Sequence, residues 1–192
     1  MLKSTVLLLL LFSAFSCPCV EDPITSDSKI HFELPINWAS SPKYNLSVTI
    51  PPGYISLQSF EVWSDEKTTL IEFVPKGEDG ENWTEIISIN KLIGRKVSAD
   101  ILLDLVKKGL MKNLENVKIL KEEVSKQPSY IQAKSILSYN DKDKHEIVGL
   151  LYYSGPYDCG GVQYTIRSKA SDSVAISKIE NFFNTALQII PH

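Results

Sequence analysis

One thiol has a setting around which a reaction could be built. Cys159 lies in Tyr157-Asp158-Cys159-Gly160-Gly161, where glycines can bare backbone N–H groups beside a nucleophile, as acyl transfer requires. Its general base would have to be His31 or His145, because the third histidine, His192, is terminal. Asp158 works against this chemistry, since a neighbouring carboxylate raises a thiol's pKa. A structural cysteine or a disulfide partner is the simpler reading of the same string. No Gly-x-Ser-x-Gly elbow offers a second nucleophile.

Metal chemistry is poorly served. There is no His-x-x-x-His or Cys-x-x-Cys spacing, so a transition-metal site is not expected. Asp141, Asp143 and Glu146 could give oxygens to calcium, but they lack the glycine and distal glutamate of a calcium loop. Asp141-Lys142-Asp143-Lys144 reads instead as a solvated hairpin turn. No cofactor is expected. Trp38, Trp63 and Trp83, with Tyr152, Tyr153, Tyr157 and Tyr164, could line an apolar or carbohydrate-binding groove, although aromatic residues in β-rich domains usually fill the core. Trp83 and Tyr157, beside loops, are the candidate binding residues, and Trp83 is the one expected to be exposed. Asn45-Leu46-Ser47 and Asn82-Trp83-Thr84 match the N-glycosylation pattern, which matters only in a eukaryotic host.

The front of the chain decides where this chemistry would act. Lys3, the apolar run from Val6 to Phe12 and an Ala14-x-Ser16 site are the parts of a secretory signal peptide. The run is shorter than the roughly 20 apolar residues of a membrane-spanning helix. Residues 1–19 are therefore read as the leader, 20–43 as a flexible or extended arm, and 44–192 as a single domain. Export puts the protein in the periplasm or the medium. An outer-membrane lipoprotein is the alternative, with Cys17 as the lipid anchor; Ser16 fits that pattern, whereas Ala14, Phe15 and Pro18 fit it poorly. If Cys17 carried lipid, Cys19 and Cys159 would remain as a candidate disulfide. Cleavage before Val20 would leave Cys159 as a lone thiol.

Composition narrows the partners. The 192 residues are 43% hydrophobic and 22% charged, ordinary for a globular domain. The net charge of −3 becomes −4 when the leader removes Lys3, which argues against nucleic acid. Arg95 and Arg167 are the only arginines, so a bidentate phosphate or carboxylate clamp is not suggested.

Several elements are predicted to hold these residues in place. Period-2 alternation marks a strand at Tyr44–Ile50, further strands are read at Ser59–Trp63, Thr69–Val74 and Trp83–Ile89 with short connections that imply antiparallel pairing, and Lys29–Leu34 is a short first strand or an extended lead-in. The period then becomes helical. Ser98 is the expected N-cap of a helix to about residue 115, with Ile101, Leu102, Leu105, Val106 and Leu110 on one face. Strands follow at Val117–Val124, Tyr130–Tyr139 and Glu146–Tyr153, then one carrying Val162, Tyr164 and Ile166. A closing helix from about Ser173 is expected to include Leu187 and Ile190 on its apolar face. The fold class is α+β, an antiparallel sheet of about six to eight strands covered by two helices.

That order resembles the PsbP-like fold. So do the strings Glu72-Phe73-Val74-Pro75-Lys76-Gly77, Asn82-Trp83-Thr84-Glu85 and Tyr157-Asp158-Cys159-Gly160-Gly161, which look like segments of exported bacterial relatives. The resemblance implies a scaffold for binding or assembly, with no shared catalytic set. The leading expectation is thus an exported non-enzymatic protein that binds an unknown protein or a small apolar ligand. An exported thiol hydrolase or transferase using Cys159, and a secreted host-directed factor of a bacterial pathogen, are the alternatives.

Overall fold

The computed structural model describes residues 30–36, 44–62, 68–92, 97–127, 130–155, 159–167 and 171–191. The expected leader, Cys17, Cys19 and Tyr157 lie outside the described residues. Chain order is β1 (Ile30–Ile36), β2 (Tyr44–Ile50), β3 (Tyr54–Val62), β4 (Thr68–Pro75), β5 (Glu85–Leu92), α1 (Ala99–Asn113), β6 (Glu115–Lys126), β7 (Ile131–Asp141), β8 (Lys144–Ser154), β9 (Cys159–Arg167), α2 (Asp172–Thr185) and β10 (Leu187–Pro191).

Seven strands form one antiparallel sheet in the order β3-β4-β5-β9-β8-β7-β6. The class is α+β, as the pattern of alternation predicts. Because successive side chains point to opposite faces, β8 divides its residues between two cores. Ile147, Leu151 and Tyr153 join Ile179, Phe182 and Phe183 of α2 on one side. Val148, Leu150 and Tyr152 join Leu102, Leu103 and Val106 of α1 on the other. The sheet is therefore buried on both faces. Gly149 lets α2 come close to β8, since a Cβ there would lie 2.3 Å from Cγ2 of Ile179.

A second antiparallel sheet has the order β1-β2-β10. Two expectations need correction. The closing helix stops at Thr185, and Leu187 and Ile190 belong to β10 instead. The Thr49 N–H donates to the Ala186 carbonyl at 2.8 Å, and pairing with β2 then extends the chain. Tertiary pairing here overrides an apolar pattern that suits either period. Finally, the strand expected from Ser59 starts at Tyr54, directly after the turn at Gly53, whose φ of +87° suits glycine.

Candidate interaction surface

Cys159 opens β9 opposite Leu92 on β5 and Ser154 on β8. It is a thiol, 1% exposed, set in the core beneath α1. Ser154 beside it is also committed, accepting the Ala99 N–H at 2.8 Å and so satisfying a free donor at the start of α1. Ser98 is the N-cap, as expected, but its side chain makes no capping hydrogen bond.

The expected base does not reach the thiol. His145 and Ser154 stand at opposite ends of β8, roughly 30 Å apart at about 3.3 Å per residue. The His145 ring is engaged with Asn140 at 3.1 Å and Asp172 at 3.0 Å. His31 belongs to β1, in the smaller sheet. Of the two expected bases, His145 is not brought to Cys159. Ellman's reagent is accordingly expected to react with Cys159 only as the protein unfolds; rapid, stoichiometric labelling of the native protein would contradict this burial.

Next to the thiol runs a polar seam that the sequence reading missed. Glu72 on β4, Ser88 on β5 and Gln163 on β9 are cross-strand neighbours. Glu72 is buried and accepts a hydrogen bond from Ser88 Oγ at 3.1 Å. Burial pushes its carboxyl up to about 7, against the opposing pull of that bond. One row along, Asn90 and Tyr152 flank Gly161. The Tyr152 ring fills the space that a side chain on Gly161 would occupy. Tyr152 Oη and Asn90 Nδ2 have no hydrogen-bond partner among the described residues. The only forewarning was Glu72 itself, a carboxylate between the apolar pairs Leu70-Ile71 and Phe73-Val74.

Two other carboxylates are paired with cations, although Oε2 of the second, Glu146, has no hydrogen-bond partner among the described residues. On the α2 side, Glu85 accepts hydrogen bonds from Tyr54 at 2.5 Å, from Lys178 at 2.5 Å and from Tyr164. Burial pushes the Glu85 carboxyl up, but Lys178 and the two tyrosines outweigh it and hold the group below the usual carboxylate range. On the α1 side, Arg167 Nε donates to the fully buried Glu146 at 2.8 Å, and Nη1 reaches the carbonyls of Glu81 and Trp83 at 3.2 and 3.3 Å. Its guanidinium lies 3.4 Å from the centre of the Trp83 ring. This corrects the expectation for Trp83: the side chain is 4% exposed, packed with Val74 and Ile86, and one ring face is taken by Arg167.

Apolar surface is exposed elsewhere. Ile101, Leu105, Met111, Ile119 and Val124 are between 42% and 56% exposed. Ile101 and Leu105 were expected on the buried face of α1. Leu103 takes that place instead, with Leu102, Val106 and Leu110, which turns Ile101 and Leu105 outward on a helix of 3.6 residues per turn. Two ion pairs, Lys107–Glu122 at 2.6 Å and Asp100–Lys126 at 3.7 Å, lay α1 antiparallel alongside β6. Met111 shares the flank of α1 that carries Asp100 and Lys107. Ile119 and Val124 pair with Leu137 and Ala133, so they lie on the same side of the sheet as α1. Among the described residues no strand pairs with the outer side of β6, which leaves a row of edge backbone groups suited to another strand.

Among the described residues, no helix is long and apolar enough to cross a membrane, and no group of three His, Cys, Asp or Glu is placed to hold a metal. No family model and no curated protein matches the sequence. Among solved structures the chain is similar to the Ran-binding protein Mog1p of Saccharomyces cerevisiae, at 12% identity and a TM-score of 0.44 over 79% of this chain and 85% of that one. It is also similar to LpqN, involved in cell envelope biogenesis of Mycobacterium tuberculosis, at 12% identity and a TM-score of 0.44 over 84% and 92% of the two chains. The α+β class itself stands on the strand order and pairing described above.

Proposed function

We propose that this chain is an exported, non-enzymatic binding and assembly protein of PsbP-like layout, and that it makes contact through the outer face of α1 and the open edge at β6. One observation carries the reading: the exposed large apolar residues of α1 and β6 lie on one side of the sheet, at the end where β6 has no second strand beside it among the described residues. Backbone groups along an edge give affinity for an extended segment, and side chains in alternation give it specificity. That combination suits a protein partner better than a small apolar ligand, which needs an enclosed pocket. The leader pattern supports action in the periplasm or the medium.

Burial of Cys159 supports the non-enzymatic half, and a turnover assay tests it. The purified protein is expected to leave a panel of ester, peptide and glycoside substrates unchanged. Reproducible turnover that Cys159→Ala abolishes would replace this reading with the thiol hydrolase.

A further inference from the structure

We propose that the occupant of the open edge is β6 of a second copy of this chain, paired antiparallel about a two-fold axis between Leu120 and Lys121. The inference rests on the surface reading above and names its partner.

Each side chain of β6 from Val117 to Val124 has a defined face. Ile119, Glu122 and Val124 pair with Leu137, Ser135 and Ala133, and so face the α1 side. Lys118, Lys121 and Glu123 pair with Ser138, Ile136 and Lys134, and so face the α2 side. The register slips between Ile119 and Lys121, inserting Leu120, which packs against the α2-side core, while Val117 packs against the α1-side core. From Val117 to Val124 the faces therefore run α1, α2, α1, α2, α2, α1, α2, α1. That order reads the same from both ends.

Residues opposite each other in an antiparallel pair must share a face, and a slip of one residue turns every side chain over. A regular strand laid along β6 loses this match at the doubled position. A second β6 keeps it throughout, provided the axis falls between Leu120 and Lys121. The register then follows without further choice. Val117 meets Val124 of the other copy, Lys118 meets Glu123, Ile119 meets Glu122 and Leu120 meets Lys121, each twice by symmetry.

Charge agrees with geometry. The register makes two Lys118–Glu123 pairs, each adding Lys118 to a carboxylate that already holds Lys134 of its own chain at 3.2 Å, whereas moving the axis by one residue toward the amino terminus would set Lys118 against Lys121. The pairing also covers Ile119 and Val124, which are otherwise half-exposed. Lysines and bulges on an edge ordinarily turn strands away. Here the same features reject a generic strand and accept one that carries the same irregularity.

Sedimentation equilibrium of the purified protein tests this through complementary variants. The wild type is expected to show a reversible monomer–dimer equilibrium. Lys118→Glu and Glu123→Lys, both at exposed positions, each turn two attractive pairs into repulsive ones and weaken self-association by about tenfold. An equimolar mixture of the two variants restores both pairs in the heterodimer and is expected to recover wild-type affinity. Matching melting temperatures for all three proteins keep the comparison free of misfolding. A wild type that stays monomeric at every concentration, or a mixture no tighter than either variant alone, overturns the proposal. A monomeric chain that still cross-links to another protein through Leu105 or Ile119 overturns the second copy but leaves the contact surface standing; absence of contacts on that face overturns both.

Discussion

Glu72→Gln is expected to stabilise the folded protein by about 3–3.5 kcal/mol at pH 8 and to change nothing near pH 4. The carboxyl is buried on β4 with Ser88 as its partner, and burial raises it from an ordinary 4.5 to about 7. Below 4.5 the group is protonated in both the folded and unfolded chain, and no penalty exists. Between 4.5 and about 7 the unfolded chain ionises while the folded one does not, so stability falls by about 1.4 kcal/mol per pH unit. Above about 7 both states are ionised and the full penalty remains. Glutamine keeps the shape and the hydrogen bond without the charge. Urea denaturation at pH 4 and pH 8 checks this: the difference between variant and wild type should open across that window. A variant that is less stable than wild type at pH 8, or that declines in parallel with it, contradicts the burial of an ionised group there.

Arg167→Leu is expected to cost about 3–5 kcal/mol, because it leaves Glu146 buried without its cation. The loss includes the contact with Trp83, whose ring the guanidinium covers. For a domain of this size each kcal/mol shifts the melting temperature by about 2–4 °C, so a fall of roughly 6–20 °C should appear on thermal denaturation. Arg167→Leu combined with Glu146→Gln should recover most of it by removing the stranded charge. Equal destabilisation of the single and double variants would mean that the ion pair is not what holds β8, β9 and the loop before β5 together.

The strands were legible because one face of each alternates visibly, as in Leu46, Val48 and Ile50 of β2. What failed did so for identifiable reasons. Residues 101–106 of α1 include Ile101, Leu102, Leu103, Leu105 and Val106, so the helix is apolar nearly all round and its period cannot choose a face. Only packing on β7 and β8 decides that Leu103 goes in and Leu105 stays out. Leu187 to Ile190 suit a helix or a strand equally, and pairing with β2, between 139 and 145 positions away in sequence, settles the matter.

The site was harder to read than the fold. Cys159 and Trp83 were visible as chemically interesting side chains, but their burial depends on neighbours far along the chain. Arg167 was noticed only as one of two arginines, although that rarity in a lysine-rich chain was a usable signal. Nothing local in Val117 to Val124 says that β6 is the last strand, because strand order is set by long-range pairing rather than by composition.

The central claim is that contacts form where α1 and β6 leave apolar side chains beside an open edge. A photo-reactive residue placed at Leu105, at Ile119 or, on the α2 side, at Val174 tests it in the producing cell. Val174 serves as the control because it is itself 58% exposed. Adducts are predicted from Leu105 and Ile119 and not from Val174; adducts from Val174 alone, equal yields at all three, or none anywhere would contradict the claim.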